Sequence, residues 1–225
     1  MKNQYFGDNR DLFKYDLILQ VIQGGLINHF TYIPMLTGND GTAQGGETNR
    51  DKAQAGTENK ELMSFLDECV NGDRRNIDQL KSLFAKHAIE TTIYRGKDEY
   101  FSHERREEYF REIDGNLLSK SLIFVDPDKG LQVEKTRDKH IKYSEVENLY
   151  RRMDKDSILM VYQHFPRVNH MEYLNKRMEE LKENIMGDFP VCIDDNINIL
   201  FFLTKDEALE HSLLHVIGHY KEHYS

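Results

Sequence analysis

The sequence predicts an α/β domain with a mostly parallel sheet covered by helices on both faces. Three observations predict it. Short apolar runs alternate along the chain with helix-period segments of roughly ten residues or more, the pattern of strand-helix-strand units. The runs themselves, such as Leu122-Ile123-Phe124-Val125 and Ile158-Leu159-Met160-Val161-Tyr162, are continuously apolar, as strands buried on both faces must be. A chain of 225 residues is also long enough to bury one large core, so a single domain over 1–225 is expected.

The elements follow in order. Leu12, Tyr15, Leu19 and Ile22 recur at helical spacing over 11–23, and Gly24-Gly25 supplies the stop. The apolar run at 30–36 reads as a strand that feeds a loop. From 38 to about 59 the composition turns to Gly, Thr, Asn, Gln and Ala, which predicts a long flexible loop. Residues 61–70 and 76–87 read as helices, and the β-branched run at 89–94 as a strand. Charged 104–113 is a helix, 122–125 a strand, 143–153 a helix, 158–162 a buried strand and 172–185 a long helix. Two strands, at 191–193 and 199–203, precede a closing helix at 207–223.

Composition removes several classes of function. Hydrophobic residues make up 39% of the chain, which describes a globular protein and not a disordered one. No apolar run approaches the roughly 20 residues needed to span a bilayer, and the polar start predicts a soluble, cytoplasmic protein with no membrane partner. Cys69 and Cys192 lie far apart without metal-ligand spacing. A formal charge of −9 argues against a nonspecific nucleic-acid binder, while leaving room for a local basic groove.

Prolines mark the candidate site. Pro34 falls at the end of its strand, Pro127 and Pro166 fall just beyond theirs, and polar residues follow each. In an open parallel sheet the carboxyl edge forms the ligand crevice. Thr37, Asn39, Asp126, Asp128, His164 and Arg167 therefore converge on one rim, with Asp126, Asp128 and His164 as the catalytic candidates. The same Asp126-Pro127-Asp128 also reads as a polar turn that ends a strand, and His164 as a structural histidine.

The blocks Asn9-Arg10-Asp11-Leu12-Phe13-Lys14-Tyr15, Tyr32-Ile33-Pro34-Met35-Leu36-Thr37-Gly38-Asn39, Leu122-Ile123-Phe124-Val125-Asp126-Pro127-Asp128 and Leu159-Met160-Val161-Tyr162-Gln163-His164-Phe165-Pro166 stand in a telling order. It resembles the block order of the bacterial adenine-N6 methyltransferases of large-subunit ribosomal RNA. That family has a G-N-x-A-D-x-x-K-H start, a strand ending T-H-A-G-A-G at S-adenosylmethionine, a catalytic D-P-P-Y block and a W-Y-P strand. The chain is also similar to a group of uncharacterised bacterial proteins with a G-D-x-x-D-x-x-K-Y start and an F-D-P-D-N-G-L block.

The resemblance implies a Rossmann-like methyltransferase type of fold and S-adenosylmethionine as cofactor. It places Lys14, Tyr15, Thr37, Gly38 and Asn39 at the cofactor, Asp126 with Pro127 at a substrate amino group, and nucleic acid as the substrate class. The chain departs from the family pattern in several places. Asp128 replaces the second proline and Lys129 the tyrosine, Asn39-Asp40 replace Ala-Gly, and Tyr15 replaces the histidine.

Two alternatives use the same rim. Asp126 and Asp128, with Glu134 or Asp11, would hold Mg²⁺ for phosphodiester hydrolysis, with Lys14, Lys129 or Lys135 neutralising phosphate. A noncatalytic binding module is the other. His211, His215, His219 and His223 recur every four residues and read as an exposed helix stripe before they read as a metal site. Met171, Met178, Tyr173 and Leu174 read as core.

Overall fold

Helix α1 (Asn9–Gln23) begins where Asp8 takes the backbone N–H groups of Arg10 and Asp11 on its side chain, and it ends at Gly24. In the computed structural model, which describes residues 1–41, 47–50, 54–96, 99–166, 168–187 and 190–224, this helix is buried almost all round. Strand β1 (His29–Ile33) follows. It stops short of the expected residue 36, because Pro34 has no N–H to offer a ladder and Met35 turns to φ 41°. After α2 (Lys60–Asn71), the predicted helix at 76–87 splits into a single 3₁₀ turn and α3 (Leu80–Lys86).

The remaining elements are β2 (Glu90–Ile93), α4 (Arg106–Arg111), β3 (Ser121–Val125), β4 (Gly130–Leu131), β5 (His140–Ile141), α5 (Tyr143–Arg152), β6 (Ile158–His164), α6 (His170–Ile185), β7 (Val191–Asp194), β8 (Asn198–Leu203) and α7 (Glu207–Tyr224). The main sheet has the order β2-β1-β3-β6-β8-β7. Strands β2, β1, β3 and β6 pair in parallel, while β8 pairs antiparallel with both β6 and β7. The sheet is therefore mostly parallel, with one reversed strand. The short β4–β5 pair, also parallel, was not expected from the sequence.

Period-two alternation sorts the apolar strands onto two faces. Phe30, Tyr32, Leu122, Phe124, Ile158, Met160, Leu200 and Phe202 join one core with α1, α2, α3 and α7. Ile33, Ile123, Val125, Leu159, Val161, Ile199, Phe201 and Leu203 join a second core with α4, α5 and α6. The continuous apolar runs exist because each residue has a core to enter. Among the described residues no helix is long and apolar enough to cross a membrane. Met171, read as core, is 65% exposed, whereas Met178, Tyr173 and Leu174 pack on the second core. His211, His215 and His219 are exposed on α7.

Candidate functional site

Two loops leave the carboxyl edge at the point where strand order reverses. From β1 the chain goes out to β2 on one side and returns to β3 on the other, so the segments after β1 and β3 part at a switch point, the usual ligand position in such sheets. Asp126 follows β3 there, with its N–H donating to the Ile33 carbonyl at 3.0 Å. His164 closes the adjacent strand β6 and is itself part of it, so the expected strand of 158–162 is two residues longer.

A buried ion network occupies the switch point. The Lys14 ammonium lies 2.8 Å from Asp11 and 3.0 Å from Asp126, and 4.9 Å above the Tyr162 ring. The Tyr32 hydroxyl donates to the same Asp126 Oδ2 at 2.7 Å. Asp11 also accepts from the Gly7 N–H at 2.9 Å, and Gly7, at φ 85°, lies where a Cβ would meet Val70 at 2.9 Å. Helical spacing puts Asp11 and Lys14 one above the other, so one face of α1 aims a charged pair at the sheet edge.

Burial sets the protonation of this network. It opposes charge on Lys14, but Asp11 and Asp126 outweigh that and hold the ammonium well above the usual lysine range. Burial, with Asp11 beside it, pushes the Asp8 carboxyl up to about 7, and raises Asp11 as well. Tyr15 and Tyr32 are buried and held above the usual phenol range for the same reason.

The residues expected at the site divide into three groups. Asp126, Lys14 and Tyr15 are buried together, the Asp126 side chain only 2% exposed. Asp128 and His164 lie further out, each beside Lys129. The Lys139 ammonium is 3.7 Å from Asp128, and the His164 N–H donates to the Lys129 carbonyl at 3.2 Å. Burial, then Arg10 and Lys129, holds the His164 imidazole below its usual range, so it is neutral at physiological pH. Thr37 is buried, while Gly38 and Asn39 are exposed. Arg167 and parts of the 38–59 loop lie outside the described residues.

Sequence reasoning missed Met1. Met1, at 6% exposure, lies across the switch point, its nitrogen donating to the Asp126 carbonyl at 3.2 Å. The Met1 carbonyl accepts from the Thr37 N–H at 2.9 Å and the Thr37 hydroxyl at 3.3 Å. What remains open between Met1, Tyr5, Asp8, Arg10, Lys14, Asp126 and Asp128 is a cavity of about 30 Å³, room for one or two waters. Tyr32 and Tyr162 were also missed as site groups. Their signal was a hydroxyl-bearing ring near the carboxyl end of a buried strand.

The groups present suit part of the cofactor that the resemblance implies. Asp126 O and Thr37 N and Oγ1 already read an amino-acid backbone. Beyond β2 stand Tyr94, Arg95 and Gly96, so no carboxylate directly follows that strand to take ribose hydroxyls, as doubly wound dinucleotide sites use. A divalent cation is less suited, because the Lys14 ammonium fills the place between Asp11 and Asp126. Among the described residues no three His, Cys, Asp or Glu side chains gather as a metal site. No protein-family model, curated protein or solved structure matches the chain.

Proposed function

We propose that the chain is a methyltransferase-like protein of Rossmann type that binds S-adenosylmethionine at the carboxyl rim of its sheet and methylates an amino group of a nucleic acid. The observation that carries this reading is convergence. The helix bearing Lys14, the loop after β1 with Thr37 and Asn39, and the Asp126-Pro127-Asp128 turn meet at one switch point, in the block order of the resemblance. A parallel sheet closed by a hairpin whose last strand is reversed agrees with a methyltransferase-type sheet.

The bound cofactor supplies an electrophilic methyl group. The chain's own part is to align an amino nitrogen and accept its hydrogens. The Lys14 and Tyr32 bonds both fall on Asp126 Oδ2, which ties the turn to α1 and β1. In this reading the Pro127 carbonyl and the half-buried Asp128 carboxylate, further out on the rim, take the outward acceptor role.

Calorimetric titration with S-adenosylmethionine, S-adenosylhomocysteine and Mg²⁺ in parallel tests the reading. Both nucleosides are expected to bind and to raise the melting temperature in excess, since a ligand of the native state stabilises by mass action. Failure of both at millimolar concentration, or a Mg²⁺ response abolished by Asp126→Asn, overturns it.

A further inference from the structure

The first four residues are attached to the rim by two sets of contacts. Deep in the crevice, the Met1 nitrogen and carbonyl, one Cα apart, are read by Asp126 O on one side and by Thr37 N and Oγ1 on the other. Nearer the surface, Lys2 pairs with Asp40, Gln4 Nε2 donates to Asp40 at 2.9 Å, the Asp40 N–H donates back to Gln4, and the Gln4 N–H reaches Asn39 at 3.3 Å. Met1, Lys2 and Asn3 are all buried. The cavity beside them, about 30 Å³, is an order of magnitude below the roughly 300 Å³ from which small-molecule sites begin.

The outer clasp is made with the exposed Asn39-Asp40 turn: the Gln4 contacts compete there with water and exchange readily, while the Lys2 ammonium reaches Asp40 from a buried side chain. The inner contacts are atoms of the backbone and one hydroxyl, which any group with an amino nitrogen and a carboxyl oxygen on one carbon satisfies equally well. Met1 therefore also marks which ligand chemistry the crevice accepts.

We propose that residues 1–4 are an internal ligand: Asp126 O and Thr37 N and Oγ1 form an amino-acid-head subsite that holds the Met1 backbone in the resting protein and exchanges it for the methionyl head of S-adenosylmethionine. The proposal rests on the reading above and adds to it the head-group atoms and a displacement step. Ligand binding and release of the segment are then one event.

Asp40→Ala tests it by loosening the outer clasp without touching the inner subsite, and Gln4→Ala serves as a second variant. Affinity for S-adenosylmethionine is read by calorimetry, and amide hydrogen exchange at Lys2, Asn3 and Gln4 by mass spectrometry. The variants are expected to bind at least tenfold more tightly than the parent chain. In the parent, saturating ligand is expected to raise exchange at those amides. Equal affinities, with the amides still protected in the liganded parent, overturn the displacement proposal and leave cofactor binding standing. If neither parent nor variants bind, both readings fall.

Discussion

At the scale of the residue, the Lys14 ammonium decides what Asp126 is for. Two buried carboxylates share one cation, so Lys14→Met leaves Asp11 and Asp126 buried and unpaired, at a cost of about 3–5 kcal/mol in urea unfolding. Asp126→Asn keeps the shape of the side chain and an acceptor oxygen, but an amide cannot neutralise Lys14, and the predicted cost is roughly 1–3 kcal/mol. An unchanged urea midpoint would show that the network contributes nothing to stability.

Asp8 carries a pH signature. Its folded-state carboxyl, raised by burial and Asp11 to about 7 from an ordinary 3.8, holds its proton more firmly than the unfolded chain does. Its stabilising contribution is therefore complete below about pH 4 and is lost as the pH rises through 7. Asp8→Asn keeps an oxygen for the helix cap but cannot ionise. Melting curves of variant and parent are expected to coincide near pH 4, separate up to about pH 7 in favour of the variant, and run parallel above it. A gap independent of pH would exclude Asp8 as the titrating group.

At the scale of the element, most of the sheet was legible and the closure of the rim was not. The strands β3, β6 and β8 announced themselves as continuous apolar runs, because two cores demand an apolar residue at every position. The β4–β5 pair is too short for any period to register, and its place is set by one glycine. Gly130, at φ 112°, lies where a Cβ would meet Gln163 at 2.4–2.8 Å. That side chain accepts from the Leu131 N–H and donates to the Lys129 carbonyl, joining β4 to the end of β6. Gly130→Ala is thus expected to expel Gln163 and cost roughly 1–3 kcal/mol, visible as faster exchange of the Leu131 amide. The Met1 segment was illegible for a different reason. Its defining bonds run between backbones and span 125 residues in sequence, from Met1 to Asp126, and side-chain patterning carries no trace of such contacts.

At the scale of the whole molecule, charge constrains how the nucleic acid of the proposed function would be held. With a formal net charge of −9, the chain repels phosphate on average, so on that proposal binding comes from a local site. The candidate is the segment after β3. Residues 127–142 carry Lys129, Lys135, Arg137, Lys139 and Lys142 against Asp128, Glu134 and Asp138, a net of 5 − 3 = +2 in the segment that holds Asp128. Lys139 already faces Asp128, which leaves few cations for phosphate. On the proposed function, a single-stranded RNA ligand is therefore expected to release few counterions. Its log K against log salt should have a slope of about −2, shallower than the −6 or steeper of a protein that neutralises many phosphates. Fluorescence anisotropy of a labelled oligonucleotide between about 50 and 200 mM salt measures it. A steep slope would place the nucleic acid on some other, more basic surface and detach substrate binding from the rim where Asp128 stands.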